Sequence, residues 1–225
     1  MHSEQETQKE VQDLLERGII VIDKPIGPTS FETVDFVRHI LQIEKAGHSG
    51  TLDPKVSGVL PIAFGRATRI LELMLALPKE YVGVMRLHSD IPLPALQETI
   101  KNKFLGKILQ TPPRKSAVKR QEREREVYEF ELLEKEGLDV LFRVKCEAGT
   151  YVRKLVHDLG LALGIGAHMS ELRRVAVGNF SEKSRITLYE LSSAYEEAVQ
   201  GKTERLQKMI LPAELAASHL QKATL

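Results

Sequence analysis

Cysteine, aromatic residues and long apolar runs are scarce in this 225-residue chain. Its single cysteine, Cys146, has no partner within the chain, which excludes an internal disulfide. It lies in the alternating stretch DVLFRVKCEAG and reads as a buried structural thiol. No apolar run approaches the roughly 18 residues that a membrane-spanning helix needs. The opening MHSEQETQKEVQDLLERG is polar and charged where a secretory signal would be apolar. These absences leave a soluble chain of the cytoplasm, or of the nucleolus if the source is eukaryotic, with no membrane partner.

An excess of positive charge is also missing. With 32 Lys and Arg against 31 Asp and Glu the net charge is +1, so the average composition does not announce a nucleic-acid binder. The chain has no P-loop, HExxH, Cys-x-x-Cys or GxSxG pattern. The glycines of GLALGIGAH follow a helical stretch, whereas a dinucleotide fingerprint opens a helix after a strand. The seven histidines show no metal-ligand spacing; His157 and His168 are too far apart for an i, i+4 pair and read as helix-surface or capping residues. A nucleotide cofactor and a metal are both unsupported.

What is present is a globular pattern, 42% apolar and 28% charged, of a length that suits one large domain or a domain with appendages. GIIVIDK is a β-branched strand, stopped by Pro25, Gly27 and Pro28. Thr29 or Ser30 then caps a helix with Phe31, Val34, Val37, Ile40 and Leu41 on one face. VLPIAF and KEYVGVMRLHSD read as strands around an amphipathic helix ATRILELMLALP. LPALQETIKNKFLGKIL reads as a helix, and QTPPRKSAVKR as an irregular basic loop. EVYEFELLEKEG and LDVLFRVKCEAG form a hairpin, and TYVRKLVHDLGLALG is a helix closed by Gly164 and Gly166. HMSELRRVAVGNF leads into a last short strand before a helical, charged end. Interleaved strands and helices with hairpins predict an α+β fold whose central sheet is mixed and mostly antiparallel, flanked by helices.

Two stretches stand out. RKSAVKRQERER gathers six basic residues, but Glu122 and Glu124 dilute them, and on charge alone it reads as a solvated face. GHSGTLDPKVSGVLP sets one carboxylate, Asp53, in a glycine-punctuated loop followed at once by an apolar run. Asp-Pro is a common turn dipeptide, so the loop alone leaves an ordinary turn and a presented carboxylate both open.

The motif GHSGTLDPKVSGVLP resembles the catalytic motif of the TruB family of pseudouridine synthases. The likeness continues through VIDKPIGPTS, KEYVGVMRL, PPRKSAVKR and CEAGTYVRKLVHDLGLALGIGAHMSELRR, in the family's order, over roughly residues 19 to 180. It is nearest to the archaeal and eukaryotic branch, the dyskerin-type subunit of H/ACA ribonucleoproteins. The bacterial tRNA enzyme carries longer insertions after the tyrosine strand and after the Ser-Ala-x-Lys loop, and both connections are short here.

The resemblance implies isomerisation of uridine to pseudouridine in rRNA or tRNA, without cofactor. Asp53 matches the nucleophile, Arg153 the arginine that pairs with it, and Tyr81 the active-site tyrosine that stacks on the target base. Flipping that base out costs a few kcal/mol, and stacking returns roughly 1 to 3 kcal/mol. Among substrate and RNA contacts, His48 matches a histidine near the flipped nucleotide and Leu172 an apolar residue lining the base pocket. Lys24, with Pro25, matches a motif that supports the catalytic loop. Lys119 and Arg120 become the expected phosphate contacts, although Gln121 and Glu122 depart from the family there. The implied partners are substrate RNA, an H/ACA guide RNA and small H/ACA proteins.

On this reading residues 1–18 are a lead-in, 19–190 the catalytic domain, and 191–225 a helical extension where dyskerin-type proteins continue into a PUA domain. A natural short form, a shortened chain and an anchor on another chain all fit. Two rivals stay open: a stand-alone tRNA T-loop synthase, and a non-catalytic RNA-binding assembly subunit that keeps the fold. The intact Asp53, Tyr81 and Arg153 speak against the second.

Overall fold

A computed structural model describes residues 11–112 and 121–214. Lys119 and Arg120 lie outside the described residues. The chain divides into two compact units, one combining the residues up to Leu77 with those from Val175 onward, the other spanning Pro78–Arg174.

The first unit enters through a helix, α1 (residues 11–17), and the strand β1 (Gly18–Lys24). β1 is apolar without alternation because both of its faces are covered. Ile20 and Ile22 join one cluster with Val34, Val37, Leu60 and Leu191, while Ile19 and Val21 join another with Val59, Ala63, Met74 and Val177. A period of two thus feeds two cores from one strand.

The helix α2 (Ser30–Leu41) starts at Thr29, whose hydroxyl accepts from the Glu32 amide while the Glu32 carboxylate accepts from the Thr29 amide. This capping box leaves the Ser30 hydroxyl free for another task. The buried stripe is Ser30, Thr33, Val34, Val37 and Leu41. Phe31, expected on that face, is 70% exposed; at about 100° per residue it stands a quarter turn away from the stripe.

β2 (Ala46–His48) and β1 both pair antiparallel with β3 (Ser57–Phe64). The expected helix after β3 is a 3-10 turn over Gly65–Ile70 followed by α3 (Leu71–Ala76). The Thr68 hydroxyl bonds the Gly65 carbonyl at 2.7 Å, a local bond that competes with regular α-helical pairing there.

The second unit contains β4 (Lys79–Leu87), α4 (Leu93–Lys103), β5 (Gly106–Gln110), β6 (Arg123–Glu136), β7 (Asp139–Cys146), α5 (Val152–Ala162) and most of β8 (Ala167–Val177). Its strands run in the order β8-β4-β7-β6-β5. Leu96 and Ile100 of α4 and Val152, Leu155, Val156 and Leu159 of α5 pack on Met85, Leu87, Phe142 and Val144. The stretch LPALQETIKNKFLGKIL, read as one helix, is helix and then strand: Gly106 takes φ +74, and GKILQ pairs with β6. The β6–β7 hairpin turns tightly between Glu136 and Asp139, with Gly137 at φ +57. After α5 the chain doubles back so closely that a Cβ on Gly160 would overlap the Ala167 amide nitrogen.

Val175–Val177 at the end of β8 return to the first unit. There β9 (Phe180–Ser181) pairs with β8, so HMSELRRVAVGNF holds an eleven-residue strand as well as a short one. α6 (Leu188–Val199), α7 (Glu204–Met209) and β10 (Leu211–Pro212), which pairs with β1, complete the unit. Both units are α+β with mostly antiparallel ladders, as expected; Ile22 and Ile186 form a parallel bridge. No helix among the described residues is long and apolar enough to cross a membrane.

Candidate active site

In the first unit the chemistry converges on one turn. The Asp53 carbonyl accepts from the Val56 amide at 2.9 Å, a β-turn with Asp first and Pro54 second, where both residues are favoured. Its shoulders are buried, Leu52 at 3% and Val56 at 6% exposure, whereas Asp53 is exposed. Each shoulder is held from β1 or α2. The Ser30 hydroxyl accepts from the Leu52 amide at 2.8 Å and donates to the Leu52 carbonyl at 3.1 Å. The Lys24 ammonium, fully buried, donates to the Val56 carbonyl at 2.9 Å and to the Pro25 carbonyl at 2.8 Å.

A third tie runs from the Gly27 amide to the Pro54 carbonyl, 2.9 Å. Lys24 thus joins the Pro25 carbonyl to the Val56 shoulder of the loop. On the entering side His48 sits on β2 opposite Ile62, and its Nδ1 lies 3.2 Å from the Gly50 amide. Gly50 takes φ +126, which a side chain would resist. Asp53 thus stands exposed on a turn that main-chain and buried side-chain bonds hold on both sides.

In the second unit Tyr81 lies on β4 opposite Val144 of β7 and packs, partly buried, against the same core as Leu172 of β8. Arg153 is exposed in the first turn of α5, where a cation opposes the helix dipole. The start of that helix is fixed by Gln110, 3% exposed, whose amide accepts from the Tyr151 N–H at 3.0 Å and donates to the Tyr151 carbonyl at 3.3 Å. An arginine in a dipole-disfavoured place on a rigidly held helix start is suited to meeting an anion.

Sequence reasoning missed Arg174. Only 1% exposed, it hydrogen-bonds the Tyr81 hydroxyl. Burial pushes the Tyr81 phenol above its usual range, and the Arg174 cation works against that rise. Lys79, two residues before Tyr81 and opposite Cys146, is brought down to about 8 by burial and then by Arg174. The signal available was the Arg173-Arg174 doublet inside a strand pattern: a period of two points neighbouring side chains to opposite faces.

Cys146 is fully buried, and burial pushes its thiol up to about 12. A disulfide thiol reagent is expected to leave the native protein unlabelled at pH 8 and to titrate one thiol per chain in denaturant. Rapid labelling of the folded chain would contradict the structural reading.

Fold and loop together fall in the pseudouridine synthase class. The N-terminal domain model of the TruB family pseudouridylate synthases matches residues 38–93 and 91–152, and the tRNA pseudouridylate synthase B C-terminal domain model matches 153–218. The "probable tRNA pseudouridine synthase B" of Methanothermobacter thermautotrophicus is 49% identical over 97% of this chain and 67% of its own length. Its counterpart in Pyrococcus furiosus is 53% identical over 91% and 61%.

Among solved structures, a Cbf5-Nop10-Gar1 complex matches with TM-score 0.89 and 52% identity, over 93% of this chain and 64% of that one. An H/ACA RNP bound to a substrate RNA containing 2'-deoxyuridine matches with TM-score 0.85 and 48% identity, over 93% and 63%. The chain belongs to the TruB family. It spans between 61% and 67% of the length of these relatives.

Proposed function

We propose that this chain is the catalytic part of an RNA pseudouridine synthase of the H/ACA type, acting in the cytoplasm, with residues 19–190 as its catalytic domain. The observation that carries the proposal is the Asp53 turn, an exposed carboxylate tied down on both sides. A nucleophile gains from fixed direction, and rigid placement can lower a barrier by several kcal/mol.

The reaction breaks the C1'–N1 bond of a uridine and forms C1'–C5; C5 loses a proton and N1 gains one, so the composition of the RNA is unchanged. Asp53 is the nucleophile and Arg153 the cation that favours its ionised form. Tyr81 stacks on the flipped base, and Leu172 lines the pocket beside it. His48 contacts the RNA, and Lys119 and Arg120 take phosphates. Lys24 serves the RNA through the loop it holds. The matched complexes contain Nop10, Gar1 or substrate RNA, which supports a guide RNA and small protein partners for this chain.

The second reading, a stand-alone tRNA synthase, is favoured by the names of the relatives. Conversion of uridine by the wild-type chain, measured on guide-paired RNA with the small proteins and on bare tRNA, separates the two. Conversion confined to the guide-paired RNA supports the H/ACA reading, and conversion of bare tRNA alone replaces it. RNA binding without conversion on either substrate leaves an assembly subunit.

A further inference from the structure

We propose that Arg174 is a positioning residue that, through its bond to the Tyr81 hydroxyl, fixes the orientation of the Tyr81 ring against the target base; this rests on Tyr81 stacking on that base. Arg174 is 1% exposed, and a buried guanidinium is tolerated only where hydrogen bonds replace water. β8 and β4 are neighbours. Leu172 Cδ1 stands 3.0 Å from where a Cβ on Gly83 would be. Tyr81 and Gly83 share one face of β4, and Leu172 and Arg174, two apart on β8, line up towards it.

The direction of the bond follows from the donor inventory. A guanidinium carries only donors, so the Tyr81 oxygen accepts from Arg174. The phenol has one proton, and with a lone pair occupied by Arg174 that proton is left for another acceptor. The other titratable group that acts on Tyr81 is Cys146 of β7, and Lys79 of β4 interacts with Arg174 and Cys146. Neither carries a negative charge at neutral pH: burial pushes the thiol up to about 12, and an amine is cationic or neutral.

Tyr81 is therefore a neutral phenol in a cationic neighbourhood. That suits a base whose carbonyl oxygens gain negative charge, whether Asp53 attacks the sugar and uracil leaves with the electron pair, or attacks the ring and an enolate forms.

The test is a double-mutant cycle on single-turnover conversion of guide-paired RNA, using the full chain with its small protein partners. Arg174→Met is expected to slow conversion by about 10- to 100-fold, the value of one charged hydrogen bond, with RNA affinity unchanged and part of the rate restored in Arg174→Lys. In the Tyr81→Phe background the same change is expected to stay within about 2-fold. Equal losses in both backgrounds make Arg174 a packing residue and overturn the proposal.

A second readout needs no activity. In the bare chain labelled at tyrosine Cζ, Tyr81 is one of five tyrosines, and its ionisation is expected to move upward in Arg174→Met and to be largely kept in Arg174→Lys. An unmoved Tyr81 titration overturns the proposal. Should the wild type convert no uridine at all, the proposed activity fails, and the tyrosine titration still decides whether Arg174 acts on Tyr81.

Discussion

Asp53→Asn is expected to stop conversion of uridine to pseudouridine, by roughly 10,000-fold or more, as removal of a nucleophile does, while RNA affinity and folding are retained. Asn has the shape of Asp, and the groups that build the turn are not the ones changed. The Asp53 carbonyl keeps its bond from the Val56 amide, the Ser30 hydroxyl keeps Leu52, and the Lys24 ammonium keeps Val56. Asn is also at home in the first position of a turn. The checks are pseudouridine content after single-turnover incubation, thermal unfolding, and RNA binding. A variant that still converts at a tenth of the wild-type rate would remove Asp53 from the role of nucleophile, whatever its place in the fold.

Much of this arrangement was legible in the residues because local chemistry wrote it. A β-branched run ended by Pro25, Gly27 and Pro28 is a strand and a turn in the structure. Thr29 followed three residues later by Glu32 is a capping box. The glycine-punctuated stretch and the Asp53-Pro54 pair mark a loop and a turn; Gly50 takes φ +126, and the Asp53 carbonyl accepts from the Val56 amide.

What stayed hidden depends on partners far along the chain. Ser30 looks like a helix cap and is instead a clamp on Leu52, 22 residues away. Phe31 satisfies the helical period well enough to be placed inside, yet the stripe is centred on Ser30, Val34, Val37 and Leu41. Arg174 looks like surface charge next to Arg173; only the packing of β8 beside β4 shows that one of the two is buried against a phenol. The division into two compact units had no counterpart in composition, since no Gly-, Pro- or Ser-rich linker marks Leu77 or Val175.

Lys24→Met separates support of the loop from chemistry on it. The methionine keeps most of the buried stem and removes the ammonium that reaches the carbonyls of Pro25 and Val56, at 2.8 and 2.9 Å. A buried carbonyl left without a donor costs about 1 to 3 kcal/mol; the Val56 carbonyl is in that position, whereas the bond to Pro25 is only partly buried, so the fold is expected to weaken by about 1 to 3 kcal/mol, read from denaturant midpoints. Conversion is expected to fall at temperatures where the variant is still folded, because Val56 closes the turn that carries Asp53 and a reacting group displaced by about 1 Å can cost about 100-fold. Glu at position 24 would bury an acceptor against two acceptors and is expected not to fold. Restored activity on cooling would trace the Lys24→Met defect to a loosened turn. Full stability with lost activity would instead place the Lys24 ammonium in the chemistry, contrary to its burial beneath the loop.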